Sequence, residues 1–130
     1  MPLPVSEILD YAVRIGAQAK SEGLAKTQIE NLLSSLDFIN DPKLSLLVAS
    51  AYSYRQASRL GRGRITAGLI NELMSKIYKS EGNREEARFA LGLAKWIYEI
   101  MEEYQIPKTE ISTLTFEKFL ELLRGRGGRQ

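Results

Sequence analysis

Apolar side chains along this chain recur at helical spacing, and no stretch alternates with the two-residue period of a half-buried strand, so the expected fold is all-helical. A first helix is expected to open at Ser6, whose hydroxyl can cap the amides ahead of Ile8, Leu9, Ala12, Ile15 and Ala19, and to stop near Gly23. Thr27-Gln28-Ile29-Glu30 has the spacing of a capping box and opens a second helix, with Ile29, Leu32, Leu33 and Leu36 on one face and Asn40 at its end. Asp41-Pro42 is a restart signal. The third helix then runs to about Leu60, with Leu44, Leu47, Val48, Ala51 and Tyr54 as its expected inward stripe, and Gly61-Arg62-Gly63 loosens the backbone. A fourth helix carries Ile65, Leu69, Leu73 and Ile77. Asn83 caps a fifth, the expected centre of the core, with Phe89, Leu93, Trp96, Ile97, Ile100, Met101 and Tyr104 as its stripe. Beyond Pro107 a short last helix shows Phe116, Phe119, Leu120 and Leu123.

Short connections favour antiparallel neighbours, so these elements predict a compact bundle of five or six helices over residues 1–123, followed by a flexible arginine-glycine tail over 124–130. Gly16, Gly68 and Gly92 fall inside helical patterns at about 1 kcal/mol each relative to alanine, for which close helix approach is the expected offset.

Composition narrows the chemistry. The 130 residues, 44% of them hydrophobic, suit a single domain with one core. Cysteine and histidine are both absent, which excludes disulfides and thiolate chemistry and removes the commonest general base and metal ligand. No apolar run approaches the roughly 18 residues that span a bilayer and the start has no targeting pattern, so the expected location is cytoplasmic, away from any membrane. Adjacent carboxylates at Glu85/Glu86 and Glu102/Glu103 would point about 100° apart on a helix and cannot share one small site. Gly61-Arg62-Gly63-Arg64 is a poor phosphate loop: Thr66 stands where a third glycine belongs, and no strand precedes it. No catalytic residue, metal site or cofactor is expected.

Charge is segregated. Between Asp41 and Glu72 there is no acidic residue, yet Lys43, Arg55, Arg59, Arg62 and Arg64 lie there. A second acid-free stretch closes the chain with Arg124, Arg126 and Arg129 among glycines. Such concentration raises a local potential that the net charge of +2 hides, and a polyanion is its commonest partner. Arg55, Arg59 and Arg62 would form one stripe if the third helix persisted through Gly61. Arg55 falls inside the arc of Leu44, Leu47 and Ala51, where it must find a carboxylate, a subunit or a phosphate. Tyr52 and Tyr54 flank the stripe, and Tyr52 is a candidate for stacking on a base.

Several features follow in one order: Lys26-Thr27-Gln28-Ile29 opening a helix with Leu32-Leu33, then Leu46-Leu47-Val48-Ala49-Ser50-Ala51-Tyr52 leading to Arg55 and Arg59, then an aromatic-rich segment around Phe89 and Trp96. In these the chain resembles the small subunit of type III CRISPR effector complexes, of the Csm kind, over about residues 24–100; a type I small subunit is similar in size and fold. The closing aromatic-glycine segment of many members is missing here. The resemblance implies a non-catalytic helical bundle, present in several copies along a guide-RNA filament, touching the guide and target strands through basic residues. It makes Arg55 and Arg59 RNA-facing; Arg62, Arg64, Lys43 and the tail arginines are added from local charge. Base pairing would read sequence in such a complex, and the protein would supply backbone contacts.

Two other classes compete. A DNA-binding regulator would use the second and third helices as a helix-turn-helix, but Asp41-Pro42-Lys43-Leu44 fills the place of base-reading residues with a cap and a leucine. A protein-only adaptor would pair the arginine stripe with an acidic partner.

Overall fold

The structure, a computed structural model, describes residues 1–127, with side chains described through Gly125. The described residues form helices and no strand: α1 (Val5–Ser21), α2 (Lys26–Ser35), α3 (Ser45–Leu60), α4 (Arg64–Lys79), α5 (Arg84–Ile100), the single turn α6 (Lys108–Ile111) and α7 (Phe116–Gly127). The fold is thus an all-helical bundle, with α6 as an element that the hydrophobic pattern did not signal. The last helix runs past Leu123, so Arg124 belongs to it. Of the arginine-glycine tail expected to be flexible, residues 128–130 lie outside the described part.

Helix α5 is the hub, packed along α1 and touching α2, α3 and α4. Gly16 makes the α1–α5 approach possible: a Cβ there would stand 2.5 Å from the Ala94 carbonyl oxygen and 2.7 Å from Ile97 Cβ. The packing expectation does not extend to the other two glycines. A Cβ on Gly92 would meet nothing, and one on Gly68 only the Tyr54 hydroxyl at 3.9 Å. The main core joins Ile15 of α1, Leu36 beyond α2, Leu46 of α3, Leu73 of α4 and Leu91 of α5. A second cluster gathers Phe119 of α7 with Val13, Ala17, Ile97 and Met101.

Helix starts follow the available acceptors. Ser6 lies inside α1 and caps nothing; the Pro4 carbonyl takes the Glu7 and Ile8 amides at 3.1 and 3.2 Å. At α2 the cap residue is Ala25, two residues before the expected Thr27, and Gln28 folds back to accept its N–H at 2.7 Å. Asp41 accepts the amides of Lys43 and Leu44 through Oδ1 at 2.9 and 2.8 Å, but it holds a turn and not the expected immediate helix start: α3 begins only at Ser45, with Leu44 in the cap position. Asn83 caps α5 through the Glu85 amide, with Glu86 reaching back to the Asn83 N–H, the reciprocal pattern of a capping box.

The inward face of α3 is the opposite of the one expected. Ser45, Leu46, Ala49, Ser50, Ser53 and Ala57 are buried, while Leu44, Leu47 and Tyr54 are 44%, 47% and 40% exposed. Apolar spacing alone pointed to the leucine side, whereas the buried side is rich in serine. Each of these serines satisfies its hydroxyl, Ser45 on the Asp41 carbonyl, Ser53 on the Ser50 carbonyl and Ser50 across to the Asn71 side chain of α4, so these polar residues are buried with their hydrogen bonds made. Part of the expected α5 stripe is also turned outward: Ile97 and Met101 are buried, but Phe89 and Trp96 are exposed.

Candidate nucleic-acid interface

With its serine face turned inward, α3 presents Val48, Tyr52, Arg55 and Arg59 along one flank, at spacings of four, three and four residues, and on that flank Tyr52 meets Phe38 in the turn after α2. Arg55 and Arg59 are exposed. Neither enters an ion pair or side-chain hydrogen bond among the described residues, and the same holds for Arg64. The internal carboxylate partner that an inward Arg55 would have needed is therefore absent, because Arg55 is not inward.

The acids of neighbouring α2 do not reach this flank. Glu30 pairs with Lys95 at 2.9 Å and Asp37, just past the helix, with Arg88 at 2.9 Å, both toward α5. The Lys95 ammonium bonded to Glu30 holds that carboxyl below its ordinary range, and Arg88 does the same to Asp37 through its hydrogen bonds. Reciprocally, Lys95 and Arg88 are pushed upward by those carboxylates. The side of α2 facing α3 offers neutral groups instead, with the Gln28 carbonyl accepting from Gln56 at 3.1 Å. Unpaired guanidinium groups beside a neutral wall form a surface suited to a phosphate backbone.

The remaining basic residues are dispersed. Arg62 is not part of the stripe, since α3 ends at Leu60 and Gly61 adopts the left-handed conformation (φ 71°). Its Nε donates to the Gly23 carbonyl at 3.1 Å. Arg62 and Arg64 instead line an open depression with Gln18, Ser21, Glu22 and Lys108. The helix N-terminus beside it holds an internal anion: Glu22 accepts the amides of Ile65 and Thr66 at 3.2 and 2.8 Å and the Thr66 hydroxyl at 2.6 Å. That carboxylate occupies the place a phosphate would need, in keeping with the poor phosphate-loop pattern.

Lys43 is turned into the fold. Its Nζ donates to the Ser80 and Gly82 carbonyls at 2.7 and 2.9 Å and lies 5.5 Å from the centre of the Tyr78 ring, closing the C-terminus of α4. Arg124 is exposed on α7, which packs on α1 and makes no contact with α3 among the described residues. The side chains of Arg126 and Arg129 lie outside the described part. Tyr52 is half-buried, packed on the core and against the ring of Phe38. Phe38, in the turn after α2, is an exposed aromatic next to the arginine flank that sequence reasoning passed over. Its only sequence signal is its place beyond the last apolar position of α2.

No family model, curated protein or solved structure matches the chain. Among the described residues no helix is long and apolar enough to cross a membrane, and no group of three potential metal ligands comes together.

Proposed function

We propose that this chain is a non-catalytic RNA-binding subunit, the small helical subunit of a CRISPR RNA-guided antiviral effector complex of type III or type I. The observation that carries RNA binding is the pair Arg55 and Arg59, exposed on one flank of α3 and unpaired beside a neighbour whose acids are engaged elsewhere. Two guanidinium groups four residues apart, about 6 Å in rise, can follow the phosphates of one strand without reading bases. The assignment to a CRISPR complex rests on the sequence resemblance. On this reading the outward Phe89 and Trp96 of α5 face other subunits, including further copies of the chain.

A helix-turn-helix regulator is the weaker reading. That motif joins its helices by a turn of about three to four residues, whereas α2 ends at Ser35 and α3 begins at Ser45, with Ser45 and Leu46 buried.

The test is a titration of labelled single-stranded RNA and duplex DNA against the wild-type chain and an Arg55→Ala/Arg59→Ala variant at two salt concentrations, alone and in the complex that copurifies with it. RNA binding that weakens steeply with salt and is lost in the variant supports the proposal. Indifference of the wild type to RNA at low salt, alone and in its complex, overturns it; capture of an acidic protein instead favours the adaptor.

A further inference from the structure

Phe38 is 60% exposed, and the turn that carries it is held on both sides. The Arg88 guanidinium grips both Asp37 oxygens at 3.1 and 2.9 Å. Arg84 donates to the Ile39 carbonyl at 2.9 Å and, more distantly, to the Leu36 carbonyl and Ser45 Oγ. The Phe38 N–H itself bonds the Ser35 carbonyl at 3.3 Å. An apolar ring on a loose turn would fold back to cover itself. Here two arginines of α5 hold the turn on either side of the exposed ring.

Its neighbour is Tyr52, with ring centroids 5.7 Å apart and planes at 85°. In either sense of such a T-shaped contact, Tyr52 leaves at least one face of Phe38 uncovered. Tyr52 begins the arginine flank, with Arg55 and Arg59 about 4.5 and 10.5 Å further along the helix axis. An open aromatic face therefore stands at one end of a short row of unpaired cations, the combination by which proteins hold unpaired strands.

We infer that Phe38 is a base-stacking platform and that the α3 flank takes single-stranded RNA in preference to a duplex, an inference that rests on the RNA-binding reading above. The arginines follow the phosphates while one base leaves its own stack to lie on the ring. In a duplex the base faces are already covered by their neighbours, and the ring has nothing to meet. Tyr52 buttresses Phe38 and is not itself the platform.

The experiment uses the full chain and three probes: a uridine decamer, the same strand carrying abasic sites throughout, and a duplex RNA of equal length. Phe38→Ala is expected to weaken decamer binding about tenfold or more, with the salt slope unchanged; Phe38→Trp is expected to retain it. Wild type should bind the abasic strand as weakly as Phe38→Ala binds the decamer, and the duplex should not distinguish the two proteins. Phe38→Ala binding the decamer like wild type, or the abasic strand binding as tightly as the decamer, overturns the platform. If that occurs while Arg55→Ala/Arg59→Ala still abolishes binding, RNA binding survives and only the stacking role is lost. If wild type binds none of the probes, alone and in the complex that copurifies with it, both fall.

Discussion

Arg88 and Asp37 form a two-pronged ion pair that ties the turn after α2 to the first half of α5. The guanidinium holds the Asp37 carboxyl below its ordinary range. A carboxyl depressed in the folded state contributes stability above its unfolded pKa, and that contribution is lost as pH falls through the folded value. Melting temperature should therefore drop as pH is lowered below about 4, and Asp37→Asn should flatten part of that drop. Both side chains keep substantial solvent contact, so the effect is small. Thermal melts of the two proteins between pH 7 and pH 3 read it directly; parallel acid limbs would show that the pair carries no stability.

Gly16 and Gly92 look alike in the sequence, each interrupting a helical pattern, yet they should respond oppositely to alanine. At Gly16 the new methyl meets the Ala94 carbonyl and Ile97 at the α1–α5 contact, and overpacking of this kind costs about 1–3 kcal/mol. At Gly92 it meets nothing, so the gain is the helix propensity of alanine over glycine, up to about 1 kcal/mol. Urea titrations of the two variants should move the midpoint in opposite directions.

Glu22 joins the end of α1 to the start of α4, accepting two amides and a hydroxyl while the cap position, Gly63, has no side chain to offer. Thr66 is buried, so removing its acceptor leaves polar groups without a partner. Glu22→Ala should destabilise the chain by about 1–3 kcal/mol, and Glu22→Gln, which keeps one acceptor oxygen, by less. Hydrogen exchange at the Ile65 and Thr66 amides would localise the loss.

Helix class and most boundaries were legible because their signals are local: Asn83 caps α5, and Gly61 ends α3. Which way a helix faces was less legible where the buried side is built from serine. Ser45 and Ser53 bond carbonyls four and three residues back and Ser50 reaches Asn71 of α4, so the buried side needs no leucine, whereas leucine spacing pointed to Leu44 and Leu47 and drew Arg55 inward. The concentration of positive charge on the third helix could be read from the chain, but not its division into used and unused cations. Lys43 and Arg62 reach carbonyls 37 to 39 residues away. Phe38 gave little signal for a similar reason, since Arg84 and Arg88 meet the turn that carries it only in the folded chain.

Lys43 and Arg59 are cations of the same acid-free segment, and the structure divides their tasks. Lys43 closes the C-terminus of α4 through two carbonyls, so Lys43→Ala should lower stability by about 1 kcal/mol or somewhat more, as for loss of charge-assisted hydrogen bonds. It should leave the salt dependence of RNA binding unchanged. Arg59 bonds to nothing among the described residues, so Arg59→Ala should leave the melting temperature within error and reduce the slope of log affinity against log salt by about 0.7, the share of one phosphate contact on a single strand. Binding isotherms at three or more salt concentrations, run beside thermal melts of both variants, separate the two. A slope lost with Lys43 and kept without Arg59 would mean that the strand lies elsewhere on the molecule.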